Sequence, residues 1–588
     1  MQIFGANISL SVVDFLQRKL QDTIAVEQAN ELLQKSVGIQ SFFSTASEFL
    51  EIKEKLSIST SMVEEPDRAE YGDFQTNANL AKTITSRLNE QLIYPEVIIE
   101  PTCGKGNFII AALLSFSTIK YVIGIEIYKP YVWETKFSIL EFFLNHPNNL
   151  IPSIEIIHGN VFDFDFQKRS DQLKSKQVLI IGNPPWVTNA QLGSLDSKNL
   201  PKKSNFKNQS GLDAITGKGN FDIAEYITMS LFEAFQKTNG YLALLVKNSV
   251  IKNVVFDQKS KKYTIGSIEK YCIDSKKEFG VSVEASLLFC KLNSPPSYEC
   301  SEYNLYTQKN TLRFGWIRDK FVSNMEDYLQ TQPYDGNCPF EWRQGIKHDC
   351  SAIMELDKVN DHFVNSLHED IFIEPDLVYG LLKSSDLKNT VIDGTRKHMI
   401  VTQNKVGQET RYIKQQFPKT YQYLSNHAES FNARKSSIYK GKPAFSIFGI
   451  GDYSFKPYKV AISGLYKTFH FTLVLPQNNK PVMLDDTCYF VGFDNLEFAF
   501  FSLILLNSPQ TAEFLQAITF PDAKRVFTKD VLMRIDLLKL ALSIPKQYIE
   551  EQLVNMNEKY RLCLNSNLWT RFIESMTPVE DTQTTLFT

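Results

Sequence analysis

The stretch Asn183-Pro184-Pro185-Trp186 combines residue types that suit the recognition of a planar ring carrying an amino group. It follows an apolar run, residues 178–182, that predicts a buried strand. The two prolines remove backbone donors and leave carbonyl acceptors, and the asparagine side chain adds a further acceptor. Acceptors beside an aromatic face would suit a ring such as adenine. The alternative is a strand that ends in a proline turn, with Trp186 in the core.

A second junction between a strand and a loop lies upstream and predicts a ligand-binding turn. Residues 97–100 form a short apolar strand, and an apolar helix start follows at residues 109–114. Glycines between them let the backbone approach a ligand closely, where a side chain would block it.

Two more strand ends follow the glycine turn. Residues 121–125 end in Glu126, and an acid about 20 residues beyond a glycine-rich turn can accept hydrogen bonds from ribose hydroxyls. Residues 154–157 lead to Asn160 and Val161. Together the four strand ends predict one nucleoside-type ligand lying across the carboxyl edge of a parallel sheet.

The order of these motifs resembles that of the class I, S-adenosylmethionine-dependent methyltransferases. More narrowly, it is similar to the gamma class of N6-adenine DNA methyltransferases, the TaqI-like group. Residues 71–76 resemble the first motif of that class, with Thr76 in the position that contacts the methionine part of the cofactor. The sequence departs from the class in having Asn77 for proline, Thr102 for alanine and Asn160 for aspartate. The resemblance covers residues 66–292.

The resemblance implies a fold, a cofactor and a reaction. The fold is a Rossmann-like α/β sheet followed by a large, mixed α/β target-recognition domain. The cofactor is S-adenosyl-L-methionine, with no metal, and the reaction transfers its methyl group to N6 of an adenine flipped out of duplex DNA. The implied cofactor-binding residues are Thr76, Glu100, Thr102, Cys103, Gly104, Gly106, Glu126, Asn160, Val161 and Pro185. The implied catalytic residues are Asn183, Pro184, Pro185, Trp186 and Phe279.

Phe279 is included because it precedes the predicted strand at residues 285–289. In the resembling class an aromatic residue here contacts the flipped base. The alternative is a hydrophobic residue that plugs the end of a loop.

Two lysine-bearing segments are candidates for DNA contact. Residues 187–222 are long and polar, which favours a lid that orders on DNA, with a solvated loop as the alternative. Residues 396–467 contain 13 Lys and Arg against 3 Asp and Glu, interleaved with aromatic residues. That composition suits a surface that binds phosphates, with an ordinary solvated basic face as the alternative. The candidates are Lys198, Lys202, Lys203, Lys207, Arg434, Lys435, Lys440, Lys442, Lys456 and Lys459.

The length and the linker signals predict three parts. A chain of 588 residues is expected to hold two or more domains. The run Ser294-Pro295-Pro296-Ser297 is the best linker signal. We therefore expect a helical N-terminal extension at 1–65, a catalytic domain at 66–295 and a target-recognition domain at 296–588.

Composition limits the partners and the location. The net charge of −3 means that DNA binding requires a local basic patch. Eight cysteines without metal-ligand spacing predict reduced thiols in the cytoplasm. The N-terminus lacks a signal-peptide pattern, and the apolar run 498–506 is too short to span a membrane. The expected partners are double-stranded DNA and a cognate restriction endonuclease or other defence-system subunits, with no membrane.

Other functions share some of these motifs. A protein glutamine methyltransferase uses the same Asn-Pro-Pro-aromatic arrangement, although those enzymes are shorter. An RNA adenine methyltransferase and a non-catalytic DNA-binding subunit with the same fold are further alternatives. The pair Glu51 and Lys53 has the Glu-x-Lys spacing of some nucleases, but 65 residues are few for such a domain.

Overall fold

A mixed ten-stranded sheet forms the centre of the first of two structural units. The computed structural model describes residues 2–56, 75–188 and 222–577. The first unit spans Met1–Phe321 and the second spans Val322–Thr588.

The sheet has the strand order β12-β11-β10-β8-β9-β7-β6-β3-β4-β5. The strands from the N-terminus to the end of this sheet are β1 (Gln2–Ile3), β2 (Ala6–Asn7), β3 (Val97–Glu100), β4 (Tyr121–Glu126), β5 (Ser153–His158), β6 (Val178–Gly182), β7 (Gly240–Lys247), β8 (Ile265–Cys272), β9 (Ala285–Leu292), β10 (Glu299–Asn304), β11 (Asn310–Ile317) and β12 (Lys320–Val322). β1 and β2 form a separate hairpin.

Strands β3 to β7 run parallel to one another, and β9 lies antiparallel between β7 and β8. Numbered from β3 as the first, the seven strands from β5 to β8 have the order 3-2-1-4-5-7-6. The order reverses between β3 and β6, and open α/β sheets bind ligands at the carboxyl ends of strands at such a point. The predicted Rossmann-like α/β fold class is confirmed.

Continuous apolar sequence explains why the central strands form. All residues of β3 and β6 are buried, as expected for parallel strands covered on both faces. The α-helices of this unit are α1 (Leu10–Leu20), α2 (Val26–Val37), α3 (Ala46–Leu56), α4 (Ala78–Glu90), α5 (Asn107–Ser115), α6 (Lys129–Asn145), α7 (Phe166–Leu173), α8 (Ile223–Phe235), α9 (Asn248–Lys261) and α10 (Ser275–Phe279).

The N-terminal helices α1 to α3 pack against α6. The buried Lys136 donates from Nζ to the carbonyl of Phe42 at 2.7 Å, and burial lowers the pKa of this ammonium to about 8. The ring of Phe4 stacks on Trp133 with centroids 4.7 Å apart. The predicted helical extension is therefore an integral part of the first unit.

The second unit contains a five-stranded sheet, β13-β23-β20-β21-β18, and a six-stranded sheet, β16-β15-β14-β19-β17-β22. Its strands are β13 (Arg343–Gln344), β14 (Glu355–Val359), β15 (His362–Asn365), β16 (Asp370–Ile371), β17 (Val378–Leu382), β18 (Val391–Ile392), β19 (Lys397–Ile400), β20 (Tyr458–Ser463), β21 (Thr472–Val474), β22 (Met483–Leu484) and β23 (Cys488–Phe493). Its α-helices are α11 (Met325–Thr331), α12 (Ser351–Met354), α13 (Tyr412–Gln416), α14 (Pro418–Asn426), α15 (Ala428–Asn432), α16 (Leu496–Leu506), α17 (Pro509–Ile518), α18 (Lys529–Leu532), α19 (Leu537–Ser543), α20 (Lys546–Tyr560) and α21 (Trp569–Met576).

The structural boundary differs from the linker signal. The first unit continues to Phe321, beyond the expected limit at residue 295, because β10 pairs with β8 and β10 with β11. The run Ser294-Pro295-Pro296-Ser297 is the connection between β9 and β10, which belong to the same sheet. No helix within the described ranges is long and apolar enough to cross a membrane. The apolar run at 498–506 lies in α16, where most side chains are buried, as expected.

Candidate active site

A pocket lies at the carboxyl ends of β3, β4, β5 and β6, and its empty space, including the part open to solvent, is about 950 Å³. Its walls bring together most of the predicted ligand-binding residues. The predicted residues that line it are Thr76, Glu100, Thr102, Cys103, Gly104, Glu126, Asn160, Val161, Asn183, Pro184 and Pro185. The four strand ends therefore do meet at one site.

The glycine turn after β3 is conformationally specific. Gly104 and Gly106 have φ of +51° and +80°, a region that side chains disfavour. A Cβ on Gly104 would lie 2.6 Å from Oε1 of Gln75. A Cβ on Gly106 would lie 2.8 Å from the side chain of Thr135 on α6. Gly106 does not line the pocket, so its structural role is the close packing of this turn on α6.

The carboxylate of Glu126 is held in place by two backbone amides. Oε2 accepts from the N–H of Gly104 at 2.8 Å, and Oε1 accepts from the N–H of Tyr128 at 2.7 Å. Each carboxylate oxygen has a second lone pair, so Glu126 can still accept from a ligand hydroxyl. The turn after β3 and the end of β4 are thus joined through the residue predicted to bind a ribose.

Glu100 places a second buried carboxyl group in the same pocket. Burial, together with the nearby charge of Glu126, raises its pKa well above the usual value. Its Oε2 and the Oγ1 of the buried Thr76 have no hydrogen-bond partner within the described part of the chain. Buried polar atoms of this kind are normally satisfied, which points to a polar ligand.

Cys103 is also buried in this pocket, but it is not an activated nucleophile. Burial and the charges of Glu100 and Glu126 raise the pKa of its thiol well above the usual value. A neutral thiol is a weak nucleophile, so Cys103 contributes packing and shape.

Asn160 and Val161, which follow β5, also line the pocket. Asn160 Oδ1 accepts from the backbone N–H of Phe162 at 3.0 Å and so caps the 3-10 helix Val161–Asp163. An amide oxygen has two lone pairs, so a second hydrogen bond from a ligand remains open to it.

The stretch after β6 combines pocket residues with a fixed aromatic pair. Asn183, Pro184 and Pro185 line the pocket. Trp186 is only 5% exposed, and its indole N–H donates to the carbonyl of Leu245 at 3.2 Å. The ring of Phe279, at the end of α10, meets Trp186 edge to face with centroids 4.9 Å apart. Trp186 is thus mostly core, and Phe279 is the more exposed ring of the pair.

The pocket also contains residues that the sequence did not single out. Asn107 Nδ2 donates to the carbonyl of Thr76 at 2.8 Å and joins the first motif to α5. Tyr128, Phe162 and Ile227 line the walls. Phe162 directly follows the predicted residue Val161, and Tyr128 lies two residues after Glu126, so closeness in the sequence is the signal that could have found them.

The predicted DNA-contact residues differ in their exposure and in their contacts. Lys198, Lys202, Lys203 and Lys207 lie outside the described residues. In the second unit, Lys435, Lys440 and Lys442 are exposed, and Lys456 forms an ion pair with Asp494.

Arg434, one of the predicted DNA-contact residues in the second unit, instead makes structural contacts. Arg434 donates to the carbonyls of Phe431, His348 and Ser446 and lies 3.7 Å from the ring centre of Tyr439. Its guanidinium therefore holds the local backbone.

Lys459 is a correction to the sequence prediction, because it is fully buried. Its Nζ donates to the carbonyl of Lys456 at 2.8 Å, and burial lowers its pKa to about 7. It lies on β20, where residues 459–463 are all buried. No phosphate could reach it.

Comparison with known proteins assigns the family. The chain is 41% identical over 479 residues to the type II methyltransferase M.NspV of Nostoc sp., covering 81% of this chain and 98% of that protein. The chain belongs to the type II methyltransferases. No protein-family model matches this methyltransferase. A solved structure of the type IIL restriction-modification enzyme MmeI in complex with DNA shares the fold, with a TM-score of 0.50 at 12% identity over 86% of this chain and 72% of MmeI.

S-adenosyl-L-methionine is the cofactor of this type II methyltransferase. The pocket fits it by charge, because Glu100 and Glu126 line the walls while no lysine or arginine does so among the described residues. A pocket with acidic and no basic side chains suits a ligand that carries a sulfonium and an ammonium. A bound cation would favour the charged form of Glu100 and so oppose the effect of burial on its pKa. The unsatisfied Oγ1 of Thr76 offers a further polar contact.

Proposed function

We propose that this type II methyltransferase is a site-specific DNA adenine methyltransferase that modifies N6 of an adenine flipped out of the duplex. One observation carries the proposal. Asn183 and Pro184 line the same pocket as Glu126 and Gly104, with the Trp186–Phe279 ring pair next to them. Amino-group acceptors, cofactor residues and aromatic surface are therefore neighbours.

The residues after β6 suit the activation of an amino group. The nitrogen is a weak nucleophile because its lone pair is delocalised into the ring. The side-chain carbonyl of Asn183 and the backbone carbonyl of Pro184 would each accept one amino hydrogen, which favours a pyramidal nitrogen. Holding the nitrogen in line with its target supplies much of the rate, since oriented reactants gain ~7–11 kcal/mol.

S-adenosyl-L-methionine supplies an electrophilic methyl group on a sulfonium when it is bound. The residues of the pocket would orient this cofactor. Glu126, fixed by two backbone amides, would accept from the ribose hydroxyls, and the pocket residues Asn160 and Val161 would hold the adenine. Thr76 and Glu100 would hold the methionine part, because Oγ1 of Thr76 and Oε2 of Glu100 are buried without a hydrogen-bond partner in the described part of the chain.

The target base must leave the duplex, at a cost of a few kcal/mol of unstacking. Phe279 would contact the extruded base and recover ~1–3 kcal/mol, while Trp186 supports Phe279 from behind. Exposed lysines of the second unit, Lys435, Lys440 and Lys442, would contact phosphates. The second unit would then act as the target-recognition domain, and a restriction endonuclease of the same system would be the functional partner.

The decisive test is methyl transfer itself. Purified protein with labelled cofactor and duplex DNA is expected to transfer methyl to adenine, and sequencing of DNA from cells that express the protein is expected to map the modified site. Cells that express Asn183→Ala provide the matched control. Methylation of RNA or of a protein glutamine, with none in DNA, would overturn the proposal. Cofactor binding without any transfer would favour a non-catalytic subunit.

A further inference from the structure

A polar link joins the wall of the cofactor pocket to the segment that carries Phe279. Asn77, next to the pocket residue Thr76, donates from Nδ2 to Oε2 of Glu278 at 2.8 Å. The hydroxyl of Tyr306 donates to the other oxygen, Oε1, at 2.6 Å. Glu278 immediately precedes Phe279, so one carboxylate is held from two sides beside this ring.

The Asn77 end of the link is well defined. Asn77 is the N-cap of α4, and its Oδ1 accepts from the N–H of Leu80 at 2.8 Å. The same amide therefore caps a helix with its oxygen and reaches Glu278 with its nitrogen. A proline at this position could do neither, because it has no side-chain amide.

The Tyr306 end lies in the turn between β10 and β11. The backbone N–H of Tyr306 donates to Oδ1 of Asn304 at 3.0 Å, which orders this turn. Tyr306 is 47% exposed, yet the partial burial of its hydroxyl and the hydrogen bond to Glu278 raise the pKa of this group, so it stays protonated and remains a donor.

The segment that carries Phe279 needs such a support because it is short. α10 has a single turn and ends at Gly280, which has φ of +70°. At its base, Ser275 Oγ accepts from the N–H of Ala285 at 2.9 Å. Residues 282–284 beyond the helix are exposed. Beyond the base, the Glu278 carboxylate and the packing of Phe279 on Trp186 connect this segment to other elements.

We propose that Glu278 is a positioning residue that holds Phe279 against Trp186 by anchoring α10 to Asn77 and Tyr306. Successive helical residues point about 100° apart, so Glu278 faces outwards to its donors while Phe279 faces Trp186. The inference rests on the proposed function for what Phe279 does, which is to contact the flipped base. The anchoring itself stands on the contacts alone.

Tyr306→Phe is the cleanest test, because it removes one hydroxyl outside the cofactor pocket. Hydrogen–deuterium exchange of residues 275–284 in the free protein is expected to rise about three- to tenfold, as suits the loss of one hydrogen bond. Tyr298→Phe, at an exposed tyrosine immediately before β10, is the matched control and is expected to leave exchange unchanged. Equal exchange in Tyr306→Phe and wild type would overturn the anchoring.

A polarity exchange tests the Asn77 side. Asn77→Asp keeps an oxygen to cap α4 but places a carboxylate against Glu278, so exchange of residues 275–284 is expected to rise. Adding Glu278→Gln restores one hydrogen bond with donor and acceptor exchanged, and exchange is expected to return towards the wild-type rate. No recovery in the double variant would contradict a direct contact.

The role of Phe279 is judged separately, on duplex DNA containing the mapped site. Tyr306→Phe is expected to lower kcat about three- to tenfold and to leave the Kd for S-adenosyl-L-methionine within about twofold of wild type. Faster exchange with unchanged kcat would overturn the positioning role. If the wild-type protein methylates no DNA, the proposed function fails, and the exchange data still decide whether Glu278 anchors α10.

Discussion

The rings of Trp186 and Phe279 lie edge to face, with their centroids 4.9 Å apart and their planes at 71°. The two residues are far apart in sequence, yet each follows or precedes a strand of the same sheet. Trp186 is anchored by its indole N–H, while Phe279 is the more accessible ring. Trp186 is therefore the fixed ring of the pair, and Phe279 is the ring that is more open to a ligand.

Replacing Phe279 is expected to lower kcat without weakening the binding of the cofactor. Phe279→Ala removes the ring that would contact the extruded base, so kcat should fall roughly 5- to 150-fold, equivalent to ~1–3 kcal/mol. Phe279→Tyr keeps the ring and is expected to retain most activity. Steady-state kinetics and cofactor titration check both variants. An equal loss in both would mean that tight packing, and not an aromatic face, is required.

Asn183→Ala is expected to remove the acceptor that is proposed to hold the reacting amino group. One well-placed polar group at a reacting centre is worth ~2.7–4 kcal/mol, so kcat should fall at least about 100-fold. The Kd for DNA and the thermal unfolding midpoint are expected to stay close to wild type. Joint loss of binding and fold would show instead that the stretch after β6 is a structural turn.

Glu126→Gln is expected to weaken cofactor binding. The carboxylate accepts from two backbone amides, and a carboxamide can satisfy only one of them while its NH₂ group faces the other N–H. The Kd for S-adenosyl-L-methionine should rise roughly 10- to 100-fold, since hydrogen bonds to charged groups contribute ~1.5–3 kcal/mol. Calorimetric titration measures it. Glu31→Gln, at an ion pair with Lys35 that is exposed on both sides, serves as the control and should bind like wild type.

The exposed lysines of the second unit are expected to contribute to DNA affinity through phosphates. Replacing Lys435, Lys440 and Lys442 together by alanine should weaken binding to all sequences alike. The slope of log K against log salt should fall by up to about 3, because each neutralised phosphate contributes ~0.9. Binding titrations at several salt concentrations give the slope. Lys459→Met is the control, since its buried ammonium cannot reach DNA, and an equal effect in both variants would place the basic contacts elsewhere.

Lys459→Met is also expected to change stability in a pH-dependent way. The pKa of Lys459 falls from 10.5 to about 7 on folding, so the unfolded chain holds this proton between pH 7 and pH 10 while the folded chain releases it. Stability of the wild-type protein should therefore rise with pH across this window through this group, and the burial penalty is fully present below pH 7. The variant should unfold at a higher temperature at pH 6, with the difference shrinking as pH rises to 9. A difference that does not vary with pH would contradict the buried charge.

Much of the site could be predicted because its signals are local. Each pocket wall is a short apolar strand followed at once by polar or glycine residues, as in 97–106 and 178–186. Parallel strands place their carboxyl ends at one edge, so the position of each residue after its strand is enough to bring Glu100, Glu126 and Asn183 together. The limit of the first unit could not be predicted in this way, because β10 to β12 join the sheet across a proline run that reads as a linker.

The sequence by itself determined the order of the motifs, the strand ends and the glycines with positive φ, since these depend on residues close together in the chain. Only the tertiary structure decided which basic side chains are available and what holds Phe279. Lys459 and Lys440 both lie in the basic stretch 396–467. Lys459 is nevertheless buried on β20 and Lys440 is exposed, because burial depends on which other elements pack against a residue. Asn77 and Glu278 are 201 residues apart, and only the folding of the sheet brings their side chains within hydrogen-bond distance.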